Sequence, residues 1–141
     1  MHDDLPKISI IIPMLNMGRY LRECLTTIKK QNYPNIELII IDGGSTDNTH
    51  EILAQYDDMI SIFVSEADRG QPDAVTKGLI RATGNIVHWH AADDIVLPGA
   101  FKRVVAEFKW HSDVDLVFSD GLGDICKWRY TRPDGTMDKI Y

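Results

Sequence analysis

Cysteine is scarce in this sequence: two residues in 141, Cys24 and Cys126, far apart and in no metal-ligand spacing. That argues against a disulfide-stapled scaffold or a zinc–thiolate site and leaves two reduced thiols, the ordinary state in the cytosol. No apolar run approaches the ~20 residues that a membrane-spanning helix needs, and the N-terminus lacks the basic and apolar regions of a secretory leader. The expectation is a cytoplasmic protein. Positive charge is short too. Fifteen Lys and Arg stand against 21 Asp and Glu, a formal charge of −6 without a basic stripe, which argues against a nucleic-acid surface. Repeats and low-complexity tracts are absent. What remains is a chain that is 44% apolar and 26% charged, of ordinary globular composition and of one-domain length.

The strongest local signal is Glu37-Leu38-Ile39-Ile40-Ile41-Asp42-Gly43-Gly44-Ser45-Thr46-Asp47. Consecutive aliphatics without polar alternation predict a strand buried on both faces, as in a parallel sheet covered by helices. Asp42 follows where that strand ends, two glycines allow a sharp turn, and Ser45, Thr46 and Asp47 are helix-capping types. The arrangement recurs along the chain. Lys7 to Ile12 reads as a first strand stopped by Pro13, and a helix from Arg19 places Tyr20, Leu21, Cys24, Leu25 and Ile28 on one face. His50 to Tyr56 reads as a short helix ended by Asp57-Asp58, and Met59 to Val64 as a third strand. Pro72 opens a helix with Ala74, Val75, Gly78, Leu79 and Ala82 on its buried side. Asn85 to His90 is a fourth strand, a helix from Pro98 carries Phe101, Val104, Val105 and Phe108, and Asp115 to Phe118 is a fifth short strand. The segments Ile125 to Tyr130 and Met137 to Tyr141, around the turn Arg132-Pro133-Asp134-Gly135, form a hairpin pattern.

Four predicted strand ends carry candidate ligand groups: Pro13 with Asn16, Asp42, Asp68, and the pair Asp93-Asp94. Each alone is ordinary, since Asp-Gly-Gly makes turns and paired aspartates cap helices. At the ends of successive parallel strands they would share one edge of the sheet, where open α/β sheets bind ligands. A crevice of carboxylates without an obvious nucleophile suits a hard divalent cation bound through oxygen, Mg2+ or Mn2+, carrying the phosphates of a ligand.

These residues resemble family 2 glycosyltransferases. The resemblance runs through Ile8 to Pro13 with Asn16, Ile41 to Asp47, Ser65 to Ala74 with Lys77-Gly78, Ala82 to Ile86, and Ala91-Ala92-Asp93-Asp94 with Pro98-Gly99, covering about residues 7 to 120. It implies a GT-A fold, a Rossmann-like and mostly parallel sheet flanked by helices and ending in the hairpin, that binds a nucleotide-diphosphate sugar, UDP-linked in most members. By matching position, Asp42 would bond the base with the Pro13 backbone beside it, and Asp68 and Lys77 would lie along the same wall. Asp93 would contact ribose or metal, and Asp94 would ligate the metal that bridges the diphosphate. Transfer would invert the anomeric centre, with a carboxylate deprotonating the acceptor hydroxyl of a saccharide or a lipid-linked acceptor.

The first position of the acidic motif is Ala91 here, where the family keeps an acid or amide. The family's base lies beyond Tyr141, and the late loop carboxylates Asp120, Asp124 and Asp134 do not match its motif. The catalytic residue is therefore unassigned, and residues 1–141 read as one shortened GT-A-like domain, incomplete on the acceptor side. A non-catalytic nucleotide-binding half-domain is the alternative. A nucleotidyltransferase is disfavoured because Pro13 to Met17 is not a glycine-rich basic loop, and a phosphatase or receiver-like site because Phe118 to Gly121 holds no lysine. His88 and His90 should face one side of their strand and Trp89 the other, while Trp110, His111 and Trp128 are open between core and acceptor surface. The terminal edge strand leaves room for a homodimer, and peripheral attachment to the inner face of a membrane is compatible with the family.

Overall fold

The computed structural model describes residues 5–119, 128–131 and 137–140. The lead-in Met1 to Asp4, Cys126, and the late carboxylates Asp120, Asp124 and Asp134 lie outside the described residues. Two compact units divide the chain, Met1–Pro98 and Gly99–Tyr141.

The first unit runs β1 (Ile8–Met14), α1 (Gly18–Lys29), β2 (Ile36–Asp42), α2 (Thr49–Leu53), a 3-10 turn (Ala54–Met59), β3 (Ile60–Ser65), α3 (Gln71–Arg81) and β4 (Ile86–Trp89). Its strands lie in the order β3-β2-β1-β4, and every pairing is parallel. The two most aliphatic segments are the inner strands, as a sheet buried on both faces requires. Register runs from Ile8 opposite Ile36 to Met14 opposite Asp42, and from Ile8 opposite Ile86 to Ile11 opposite Trp89. The Ile11 carbonyl takes the last bond from β4, the His90 N–H. By the alternation of strand bonding Pro13 then points its missing N–H past the end of β4, so no ladder bond is lost.

Ile11, Ile39 and Ile41 form one face and pack against Ala74 of α3, with Ile62, Val64 and Ala82 around them. Right-handed crossovers then place α1 and α2 on the opposite face. The predicted strands and helices are all present, with boundaries moved by up to three residues. Four expectations are corrected. β1 is not stopped by Pro13 but continues through it to Met14, because the missing N–H falls where β4 has already ended. β3 is an edge strand whose residues alternate between half-buried and exposed, so it starts and ends one residue later than its apolar run suggested. The 3-10 turn absorbs Asp57-Asp58 instead of stopping at them. Tyr20 on α1 and Leu79 on α3 are 45% and 51% exposed, because α1 buries the Leu21, Cys24, Leu25 and Ile28 stripe and α3 meets the sheet through Ala74 and Gly78.

The second unit holds α4 (Ala100–Trp110), β5 (Leu116–Ser119), β6 (Trp128–Thr131) and β7 (Met137–Ile140). The expected hairpin is present as β6 and β7, and β5 pairs antiparallel with β6, outside the parallel sheet. Gly99, at φ 78°, precedes α4. That helix buries Phe101, Val105 and Glu107, while Trp110 is exposed.

Gly78 is where α3 touches the sheet most closely. A Cβ there would lie 2.3 Å from Cγ2 of the fully buried Ile11. Gly78→Ala gains ~1 kcal/mol of helix propensity but forces a core displacement that costs more. A net loss of about 1–2 kcal/mol is expected in urea unfolding. An unchanged or raised midpoint would show that α3 does not depend on this contact.

Candidate functional site

Because every strand of the first unit runs the same way, the loops after β1, β2, β3 and β4 emerge at one edge. The first two are stitched together. Asn16, at φ 53°, donates its N–H to Ser45 Oγ (2.7 Å), and its Oδ1 accepts from the Thr46 and Asp47 N–H groups at 2.8 and 3.3 Å. Asn is one of the few residues that adopt this left-handed conformation readily. Asp47 in turn accepts from the Gly18 N–H at 3.1 Å and from the N–H and hydroxyl of Thr49, which joins the starts of α1 and α2. The Thr49 hydroxyl bond is the largest influence holding the Asp47 carboxyl below its usual range.

Asp42 ends β2 with no exposed surface and carries the densest hydrogen bonding at this edge. Ser45 donates to it through both N–H and hydroxyl, Ser65 through its hydroxyl at 2.7 Å, and His50 approaches through Nε2 at 2.8 Å. Burial pushes the carboxyl up, but the hydrogen bonds from Ser45, Ser65 and His50 outweigh it and bring the pKa to about 2. His50 is half exposed and stands edge-on to the Phe63 ring at 5.8 Å. Sequence reading missed His50 and Ser65. Ser65 faces Asp42 across the β2–β3 register, which the corrected strand boundary reveals. His50 lies in α2, and nothing in the apolar pattern marks it.

Asp68 lies against the same turn. A Cβ on Gly43 would meet its Oδ2 at 2.7 Å, and its Oδ1 accepts the Gly70 N–H at 2.8 Å. Pro13 sits opposite Ile41, one residue from Asp42. Pro13, Asp42 and Asp68 are thus brought together. The Lys77 Nζ pairs with Glu66 at 2.9 Å and Asp73 at 3.3 Å, and bonds the Ala67 carbonyl. The hydrogen bond to Glu66 is the main reason its pKa is raised. It fastens α3 to the loop after β3.

Asp93 and Asp94 occupy the loop after β4, and both are exposed. The Asp94 N–H closes a turn onto the Ala91 carbonyl at 3.1 Å. α1 and the turn after it hold this loop: Cys24 Sγ faces the Ala91 carbonyl at 3.9 Å, Thr27 Oγ1 accepts the Val96 N–H at 3.0 Å, and Gln31 Nε2, just past the helix, donates to the Val96 and Leu97 carbonyls at 3.3 and 2.9 Å. Burial first, then the charges of Asp94 and Asp93, push the Cys24 thiol up to about 12, so it is no nucleophile. His88 and His90 share a face at 3.3 Å from each other, and Trp89, 54% exposed, takes the other, as expected. Burial lowers both imidazoles, His88 to about 4 with His90 adding to the effect. Among the described residues no group of three or more His, Cys, Asp or Glu is arranged around a metal position.

The low Asp42 pKa has a stability consequence. A carboxyl depressed from its ordinary value of 3.8 to about 2 stabilises the fold above pH 4 and loses that contribution as pH falls toward 2. Asp42→Asn should cost roughly 2 kcal/mol at neutral pH. The gap to the parent should narrow between about pH 4 and pH 2 in chemical denaturation. A gap that stays constant across that range would show that the charge of Asp42 is not what the three donors stabilise.

Known proteins give this edge a context. Residues 9–137 match the family described as Glycosyl transferase family 2. The chain is 34% identical over 133 residues to Glycosyltransferase GlyG of Streptococcus pneumoniae, covering 92% of this chain and 42% of that protein. It is 36% identical over 119 residues to a PGL/p-HBAD biosynthesis glycosyltransferase of Mycobacterium tuberculosis, covering 82% and 46%. The chain thus spans less than half the length of these relatives. Among solved structures, S. aureus TarS 1-349 in complex with UDP superposes with a TM-score of 0.72 at 29% identity, over 84% of this chain and 38% of that one. The mannosyltransferase PcManGT of Pyrobaculum calidifontis, in complex with GDP-Man and Mn2+, gives 0.67 at 27%, over 79% and 34%. The parallel sheet with its flanking helices is the GT-A architecture of these neighbours, and the chain belongs to glycosyltransferase family 2.

Proposed function

We propose that this chain binds a nucleotide-diphosphate sugar, a UDP-sugar, across the carboxyl edge of the parallel sheet, for inverting transfer of the sugar to an acceptor hydroxyl. The observation that carries the proposal is the spread of carboxylates along that edge. Asp42 stands at the end of β2, Asp68 beyond the end of β3, and Asp93 and Asp94 beyond the end of β4. From β3 to β4 is three strand spacings, roughly 14 Å, the scale of an extended ligand with a base at one end and a diphosphate at the other. Pro13, Asp42 and Asp68 take the base end. A base reaches Asp42 by exchanging with half-exposed His50 or one of the serines, since all of them already bond its oxygens. Lys77 supports this wall through Glu66.

The other end is acidic, and a diphosphate would be repelled by Asp93 and Asp94 without a cation between them. The two exposed carboxylates fit a hard ion, Mg2+ or Mn2+, that keeps several ligand positions for phosphate oxygens and water. When bound, such an ion neutralises charge on the departing diphosphate, worth several kcal/mol in the transition state. In the transfer a carboxylate takes the acceptor proton, the acceptor oxygen bonds the anomeric carbon, and the bond to the nucleoside diphosphate breaks with its electron pair. A match to complexes that hold UDP, and GDP-Man with Mn2+, supports this reading.

Calorimetric titration with UDP, with and without MnCl2, tests it. Manganese should strengthen UDP binding by about tenfold or more in the parent, and Asp94→Ala should remove that gain while keeping the metal-free affinity. Equal affinity with and without manganese in the parent would overturn the metal assignment. Metal-dependent binding without any UDP-glucose hydrolysis would replace the transferase by a donor-binding half-domain.

A further inference from the structure

His90 is buried to 6% exposure and has no part in the proposed transfer, yet its side chain ends at the acidic turn. Its Nε2 lies 3.2 Å from the main-chain carbonyl of Asp94, and its Nδ1 lies 3.3 Å from His88 Nε2. A carbonyl can only accept, so the hydrogen is on Nε2 of His90. In the neutral ring Nδ1 is then the acceptor, and His88 Nε2 donates to it. The two imidazoles form a directed chain, His88 to His90 to the Asp94 carbonyl.

The turn is thereby held from both ends. The Ala91 carbonyl receives the Asp94 N–H and faces Cys24 Sγ, while the Asp94 carbonyl receives His90. Thr27 of α1 and Gln31 of the turn after it fix the chain two to three residues further on. Bonds on both sides of a residue constrain its φ and ψ, and so the direction in which its side chain leaves the backbone. The carboxylates of Asp93 and Asp94 remain exposed at the tip.

We infer that His90 is a positioning residue: by holding the Asp94 carbonyl it orients the Asp93–Asp94 pair toward the divalent cation of the donor complex. The inference rests on the assignment of these two aspartates under the proposed function. A histidine that merely fills the core would affect stability first. Here the bond is made to the main chain of an exposed residue in the loop after β4, outside the apolar core. Cation binding depends instead on where two carboxylates point, and residues that orient metal ligands typically change metal affinity by 10–100-fold when removed.

Two polar replacements separate reach from burial. Glutamine places its amide nitrogen near the position of Nε2, whereas asparagine reaches only as far as Nδ1. UDP would be titrated into the intact 141-residue chain with and without MnCl2, for the parent, Asp94→Ala, His90→Gln and His90→Asn. His90→Asn should lose about tenfold of the manganese-dependent gain and His90→Gln no more than about threefold, with metal-free UDP affinity within about twofold of the parent in both. If His90→Asn keeps the whole gain, if both variants lose it equally, or if metal-free affinity falls in parallel, the positioning role is overturned. If the parent itself shows no gain, the assignment of Asp93 and Asp94 falls, and the role of His90 toward the cation falls with it. Should neither variant fold, the parent decides through its long-range 1H–15N histidine spectrum at about pH 7.5. A hydrogen on Nε2 of His90 supports the inference, and one on Nδ1 alone overturns it.

Discussion

Parallel pairing is the constraint on which the first unit depends. Parallel strands need a crossover after each one, and right-handed crossovers cover both faces of the sheet with helices. That is why β1 and β2 can be almost wholly aliphatic, and why the polar residues of this unit concentrate where strands give way to loops. Aspartates separated by fifty residues of sequence reach one edge because four strands point the same way, without any need for them to touch.

The edge is preorganised by hydrogen bonds within the chain. Asp42 is a buried charge, and such a group is tolerated only when its oxygens are satisfied. Ser45 comes from its own turn, Ser65 from the neighbouring strand and His50 from the next helix, so one carboxylate draws three elements together. Asn16 does the same for the loops after β1 and β2 with a neutral amide. At the β4 end the donors and acceptors come from α1 and the turn that follows it, at spacings of three and four residues.

Much of this was legible in the sequence, for identifiable reasons. Uninterrupted aliphatic runs mark inner strands of a parallel sheet, so β1 and β2 were plain, and so was the line of polar residues at strand ends. The weaker readings share one cause, which is tertiary context. β3 is an edge strand and alternates, Leu79 follows helical spacing yet finds no cover, and Tyr20 falls just off the stripe that α1 buries. Partnerships were less visible still. No spacing rule couples His50 to Asp42 or turns Lys77 toward Glu66, because those contacts depend on where a crossover returns in space. His88 and His90 were placed on the correct face by strand parity, but the reach of His90 to a carbonyl four residues on depends on the turn between them.

The hydrogen bonds at the helix starts carry a further meaning. Many doubly wound sheets receive phosphate on the bare N–H groups that open a helix. In this unit the first N–H of α1 and the first N–H of α2 are each taken by a carboxylate of the chain. Asp47 sits on Gly18 at the head of α1 and on Thr49 at the head of α2, while Asp68 and Asp73 accept the Gly70 and Arg69 N–H groups just ahead of α3. The positive ends of these helix dipoles are spoken for by negative charge of the same chain. The same carboxylates that favour these helix starts thus also tie each helix to the loop in front of it.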